Sequence, residues 1–300
     1  MRWRVRNKRL IWSLVFGAFL ELGSWSSVFV SPSFASMPEL AEVEYYRKQW
    51  DAGLGAKVLA VELHADKRLF RGTDTGALQR ELPGAKLLAS EARGKQMAFR
   101  FSRGLWLAVH LGMTGKLRIE SREFIAARHD HLVLRQKQRA LVFSDPRIFG
   151  RVLWFQGRGE PAWWSSIAPA LTSDAFTRDV LRDVLQRRRR LPLKAALLLQ
   201  DHFPGVGNWM ADEILWRARL SPQRAGGEIS TAQLSALWKE IRFVCAGAMK
   251  HVSHDFSDPP RGWFYHQRWA AGGRCPRDGA KLERGTIGGR TTAWCPKCQR

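Results

Sequence analysis

Within the last 26 residues of this chain, four side chains have the types and spacing to hold a metal. Cys275-Pro-Arg-Asp278 and Cys295-Pro-Lys-Cys298 are separated by sixteen residues, the two-knuckle spacing of a zinc ribbon. Aspartate oxygen can replace one thiolate in a tetrahedral shell. Cys275, Asp278, Cys295 and Cys298 are therefore candidate ligands for one structural Zn2+, and a metal-free hairpin is the plainer alternative. Between the knuckles, LERGTIGGRTTAW reads as a β-hairpin turning at Gly288-Gly289, with Arg290 at its tip. A cation on a stiffened hairpin can probe a phosphate or a groove. The fourth cysteine, Cys245, lies apart. A disulfide framework would spread its cysteines more evenly, so the crowding favours a metal in a reducing compartment.

Three turns carry further chemistry. In GVGNWMADEILW, two glycines and Asn208 precede a helical pattern, which reads as a tight turn ending in an Asn208 N-cap. Free backbone N–H groups at such a helix start bind phosphate, although most turns of this kind only begin helices. HLGMTG (110–115) and DPRIFG (145–150) each present large side chains: Met113 in one, Arg147 and Phe149 in the other. Met113 and Phe149 could be core residues, or wedges that fill the gap left when a base leaves a DNA stack.

The elements that position these turns follow from patterning. A helical spacing of Leu40, Val43 and Trp50 opens the region after Met37. Six strand-like runs follow: KVLAVELHA, QMAFRFS, LWLAVHLGM, HLVLRQ, ALVFSD and RVLWFQ. Near Ile167 the period changes to four helical patterns, and the Gly- and Arg-rich tail comes last. The expected class is α+β, with a β half over 37–166 that reads as a sandwich or barrel, a helical half over 167–262 and a small metal-bound tail over 263–300. No heptad is present, so a monomer is expected. The net charge of +22 points to a polyanionic partner, nucleic acid or an anionic membrane.

Residues 1–36 differ from the rest. A basic start, the apolar run LIWSLVFGAFL and the small residues before Met37 have the form of a secretory signal. The alternative, adopted here, is a start assigned too far upstream, with Met37 the functional first residue and the protein cytoplasmic. The segment holds five basic residues and one acid, so most of the positive surplus lies beyond it.

PELAEVE, RGKQMAF, HLGMTG, DPRIFG, GVGNWMADE and the terminal ribbon occur in the order found in formamidopyrimidine-DNA glycosylases, and the chain resembles that family over 37–300. The resemblance implies a β-sandwich, a helix-two-turn-helix domain and a zinc finger around damaged double-stranded DNA, with no membrane. It implies a bifunctional glycosylase and abasic-site lyase of base excision repair in the bacterial cytoplasm, at the nucleoid. The secondary amine of Pro38 would be the nucleophile, forming a Schiff base with the sugar. Glu39 would move protons and Glu42 would position that region. Lys95 would contact the lesion and its phosphate. Asn208, Arg290 and His110 would hold phosphates, with Lys194 a further candidate. Met113, Arg147 and Phe149 would fill the void. The rival readings are an endonuclease VIII-like glycosylase for oxidised pyrimidines, and a non-catalytic lesion-binding protein if the extension is retained.

Three positions and one segment depart from the family's pattern. Ala41 stands for a usual proline, Ile148 for the second arginine of a double-arginine loop, and Asp278 for a cysteine. The stretch KHVSHDFSDPPRGWFYHQRW is shorter than the family's lesion-capping loop, and its Asp258-Pro259-Pro260 looks stiff. Weak discrimination for 8-oxoguanine is the expectation.

Overall fold

A computed structural model describes residues 37–269 and 271–300; the basic and apolar N-terminal stretch lies outside the described residues. Eight strands form two antiparallel sheets. One has the order β1 (Ala60–Leu63), β6 (Asp130–Arg135), β7 (Arg139–Ser144), β5 (Lys116–Ser121); the other has β2 (Leu87–Arg93), β3 (Gln96–Phe101), β4 (Leu105–His110), β8 (Arg151–Gln156). Phe99 and Leu107 of one sheet share a core with Leu132, Leu141 and Phe143 of the other, which makes the pair a sandwich. Strands β6 and β7 read as nearly continuous apolar runs because both faces are covered: Val133, Ala140 and Val142 pack outward against Phe124 and Ala126.

Two strands exceed the six anticipated. Strand β2, LLASEAR, is mostly half-exposed and lacks β-branched and aromatic residues, so it has little intrinsic strand signal. It is held by pairing along β3. Strand β5, KLRIES, turns only Leu117 fully inward. Two short helices, α2 (Thr75–Glu81) and α3 (Ala162–Ser165), border the sandwich sequence.

Helix α1 (Leu40–Gln49) joins two cores. Ala41 and Leu40 pack into the helical core, whereas Val43, Tyr46 and the following Trp50 pack into the sandwich. The helical layer comprises α4 (Arg178–Arg187), α5 (Leu193–Leu197), α6 (Asn208–Arg217) and α7 (Thr231–Asp255). Thr177 caps α4, and Ser230 with Gln233 forms a capping box on α7. Helix α6 is buried from Trp209 to Trp216, including Asp212 and Glu213. Buried carboxylates need partners. Asp212 accepts from Lys194 Nζ and from Arg268 Nε and Nη2 at 2.9 and 2.6 Å. Glu213 accepts from the Tyr265 N–H at 3.0 Å.

The tail forms a hairpin of β9 (Glu283–Ile287) and β10 (Arg290–Trp294). Its turn, Gly288-Gly289, has positive φ at both residues, as a two-residue hairpin of this hand requires. A Cβ on Gly288 would stand 2.7 Å from that of Ala195, so the turn presses on α5. The architecture is α+β. No helix among the described residues is long and apolar enough to cross a membrane.

Candidate active site

The N-terminus of α6 is capped from 168 residues away. Glu39 Oε2 accepts from the N–H of Gly207 at 3.0 Å and of Met210 at 3.1 Å, and Oε1 from that of Trp209 at 2.9 Å. Glu39 is itself the N-cap of α1, its own N–H donating to Glu42 Oε2 at 2.9 Å. Glu42 also accepts from Trp209 Nε1 at 3.0 Å. One residue thus starts two helices, α1 as its N-cap and α6 through its carboxylate.

The Gly-x-Gly before α6 allows this approach. A Cβ on Gly207 would lie 2.2 Å from Glu39 Cδ, so the carboxylate could stay on its donors only with glycine at this position. Gly205, at φ 88°, lets Leu40 and the Gly94 backbone come close. Gly207→Ala is expected to drive the Glu39 carboxylate off its three donors. The single-turnover activity of the site should fall by about a hundredfold, comparable to misplacing a reacting group by an ångström. Unchanged activity would contradict the placement of Glu39.

Electrostatics bring the remaining groups together. Burial raises Glu39 to about 7, aided by the neighbouring Glu42 charge and opposed by Lys95 and the α6 N–H groups. Burial lowers Lys95, on the β2–β3 turn, and Arg290 pushes it the same way, while Glu39 and Glu42 oppose. His110, at the end of β4, falls to about 4 through burial and the charges of Lys95 and Arg151. Its Nδ1 accepts from the Gly112 N–H at 3.0 Å, so a neutral His110 carries its proton on Nε2 and can donate one hydrogen bond without bringing charge. Pro38 is half-buried directly before Glu39. Glu39, Glu42, Lys95, His110 and Arg290 therefore share one electrostatic neighbourhood.

Asn208 and Lys194 sit differently from expectation. The N-cap of α6 is Gly207, not Asn208, because Glu39 supplies the capping oxygens. Asn208 instead donates from Nδ2 to the Thr291 carbonyl at 2.9 Å, fastening α6 to the hairpin beside Arg290. Lys194, expected among the phosphate contacts, is fully buried; its ammonium donates to Asp212 and to the Asn208 carbonyl. It supports the turn without reaching a ligand. Arg290 is exposed on the first residue of β10.

The HLGMTG and DPRIFG turns form one unit. Asp145, fully buried, accepts from Thr114 Oγ1 at 2.6 Å, from the Arg147 N–H at 3.3 Å and from the Gly150 N–H at 2.7 Å. A Cβ on Gly112 would lie 2.4 Å from the Phe149 backbone, so only glycine lets the turns touch. Phe149 is 42% exposed with the Arg147 guanidinium 4.8 Å over its ring, and Met113 is half-buried outside the core clusters. None of the three is a core residue. Ile148 adopts φ 56°, a left-handed conformation that disfavours a β-branched residue, while its side chain packs on the sandwich core.

Cys275, Asp278, Cys295 and Cys298 converge, each offering a ligand atom within 4.8 Å of the others. The sulfurs of Cys275 and Cys298 are 3.8 Å apart, and Cys295 Sγ lies 3.4 and 3.5 Å from the Asp278 oxygens. Trp216 Nε1 donates to Cys275 Sγ at 3.3 Å, linking this cluster to the far end of α6.

A sequence profile described as the formamidopyrimidine-DNA glycosylase N-terminal domain matches residues 37–152, and one for the H2TH domain of the same enzymes matches 167–257. A formamidopyrimidine-DNA glycosylase of Xanthomonas euvesicatoria is 33% identical over 276 residues, covering 88% of this chain and all of that protein. The chain belongs to the formamidopyrimidine-DNA glycosylase family. A Thermus thermophilus relative of the same name is 35% identical over 88% of this chain and 98% of its own. Among solved structures, MutM in complex with carbocyclic 8-oxo-G containing DNA superposes with a TM-score of 0.79 at 27% identity, over 88% of this chain and all of that one. The Lactococcus lactis enzyme with FAPY-dG containing DNA gives 0.77 at 26%, over 87% and 100%. Ala41 is fully buried and packs into the helical core.

Proposed function

We propose that this DNA glycosylase of base excision repair excises oxidised, ring-opened bases from duplex DNA and then cleaves the abasic strand, with Pro38 as nucleophile. The observation that carries the reading is the buried Glu39 carboxylate, raised to about 7, directly beside Pro38 and facing Lys95. The Pro38 amine attacks the deoxyribose C1′ while Glu39 delivers a proton to the sugar ring oxygen. The base leaves and an iminium links Pro38 to the sugar. The iminium draws electrons from C2′–H, so loss of that proton expels the 3′ phosphate, and a second elimination expels the 5′ phosphate. A proline nitrogen acylated by Met37 has its lone pair delocalised into the amide. The chemistry therefore requires the Met37–Pro38 bond to be opened. Residues 37–166 serve as the catalytic half, 167–262 as the DNA-binding half and 263–300 as the finger of a monomer.

Lys95, His110, Asn208 and Arg290 hold phosphates around the extruded nucleotide, and Met113, Arg147 and Phe149 occupy the void. The donor set at the tail fits zinc. Tetrahedral Zn–S of about 2.3 Å and Zn–O of about 2.0 Å place two sulfurs about 3.8 Å apart and sulfur about 3.5 Å from oxygen, as observed here. Cys275, Asp278, Cys295 and Cys298 would hold the ion, which would stiffen the hairpin that carries Arg290.

Lesion preference follows from the segment after α7. Tyr265 Oη donates to Asp258 at 3.1 Å, His266 Nε2 donates to the Pro259 carbonyl at 2.7 Å, and the Trp263 N–H donates to the Pro260 carbonyl at 2.9 Å. A short segment so tied cannot fold over a base. Ring-opened purines, oxidised pyrimidines and abasic sites should be cleaved faster than 8-oxoguanine in otherwise identical duplexes. A dominant 8-oxoguanine rate would sink this preference, and exclusive action on oxidised pyrimidines would favour the endonuclease VIII-like reading.

A further inference from the structure

The Lys95 ammonium is placed by its backbone. It feels Glu39, Glu42 and Arg290 as charges, and no hydrogen bond to a described residue fixes it. Its turn joins β2 to β3, with Arg93 paired across the hairpin to Gln96. One side of the turn lies against the turn before α6: a Cβ on Gly94 would stand 2.9 Å from Pro204 Cβ and 3.0 Å from the Gly205 nitrogen. The other side is held by one guanidinium. Arg93 Nε donates to Glu91 Oε1 at 2.9 Å, Nη2 to Glu160 Oε1 at 3.0 Å, and Nη1 to the Trp164 carbonyl at 3.3 Å. The same group lies 4.7 Å over the Trp164 ring. Glu160 and Trp164 belong to the segment between β8 and α4 that contains α3. That segment is itself anchored. Trp164 is fully buried, Trp163 stacks on Phe155 of β8 at 5.3 Å, and Ser165 Oγ donates to Glu160 Oε2 at 2.7 Å.

We propose that Arg93 is a positioning residue for Lys95, strapping the Arg93-Gly94-Lys95 turn to the anchored 160–165 segment so that the ammonium faces Glu39 and the phosphate it would hold. The inference rests on the DNA reading given above, in which Lys95 contacts that phosphate. Each ion pair of Arg93 is partly exposed and weak alone. The strap comes from shape. A planar fork serves two carboxylates, a carbonyl and a ring together, and the compact ammonium of a lysine cannot span them. Without the strap the turn is braced on the α6 side alone, and Lys95 withdraws from Glu39. The charges that reach Glu39 are Glu42 on its own helix, Lys95, and Lys194 on α5; the Cys245 thiol on α7 is pushed up to about 12 and stays neutral. Lys95 opposes the rise of Glu39 to about 7, so its withdrawal lifts Glu39 further.

Two measurements on the full chain test this. The carboxyl carbon of Glu39, followed by carbon-13 resonance in protein free of DNA, titrates according to where Lys95 stands. Lys95→Met should move that titration above its wild-type position. Arg93→Lys, which keeps the charge, should move it the same way, and so should Glu160→Gln. Deleting the Glu160 charge would by itself lower Glu39, so an upward move signals a displaced Lys95. In a Lys95→Met background neither change should add anything. A Glu39 titration unmoved or lowered in both variants, or an equal rise with and without Lys95, would overturn the proposal. Separately, single-turnover base release by Arg93→Lys should fall about tenfold to a hundredfold when Lys95 is present and not at all in the Lys95→Met background. A titration that moves while base release does not would leave the strap standing and overturn the role of Lys95 in the DNA reading.

Discussion

Replacing Glu39 with glutamine is expected to slow base release by about 10²–10⁴-fold, the loss typical of a general acid. Glutamine keeps the length and one oxygen of the carboxylate. It cannot protonate the sugar, and it turns an amide N–H toward one of the α6 donors. The pH profile separates this chemistry from simple damage. Glu39 titrates near 7 because burial and Glu42 disfavour its charge. Wild-type base release should therefore decline above pH about 7 as the acid loses its proton, by about tenfold per unit. The stability sign is also determined. The unfolded chain loses this proton near the ordinary glutamate value of 4.5 and the folded protein near 7, so native stability falls as pH rises through that window. Glutamine stays neutral throughout, so thermal melts of Glu39→Gln should lack that decline. Equal pH profiles for the two proteins would contradict the assignment.

Denying the tail the metal proposed for it, by chelation or by Cys295→Ala, is expected to unfold the ribbon and leave the rest standing. Cys295 is fully buried among Trp216, Phe264, Leu282 and Ala293, a cluster separate from the sandwich and helical cores. A two-stranded hairpin is marginal alone. Metal binding in such ribbons contributes on the order of 10 kcal/mol to their folding. Limited proteolysis should remove the tail first and spare the chain up to α7. Affinity for an abasic duplex should fall about tenfold to a hundredfold as Arg290 loses its place, equivalent to one charge-assisted hydrogen bond. A tail that resists protease without metal would show that Asp212, which accepts from the Ala293 N–H at 3.4 Å, and Asn208 suffice to hold it.

What could be read in the sequence was what local pattern encodes. Strand β4 and helix α7 declare themselves through apolar periodicity, and the cysteine knuckles through ligand spacing. What could not be read depends on distant partners. The true capping oxygens of α6 come from Glu39, so Asn208 does not fill the cap that local turn chemistry assigns to it and instead fastens the Thr291 carbonyl. Lys194 looks like a surface cation until Asp212, eighteen residues on, is seen to bury it. Asp145 reads as a turn former, yet its carboxylate joins a second turn through Thr114. Strand β2 exists because β3 pairs with it.

The most direct test of the account is covalent. The protein, incubated with an abasic-site duplex under borohydride, is digested, and the DNA-linked residue is located by mass spectrometry. The account predicts one adduct, on the nitrogen of Pro38 in a peptide that begins there. An adduct on Lys95 or any other lysine would contradict the nucleophile. No adduct from protein whose N-terminus is Pro38 would contradict the lyase chemistry itself.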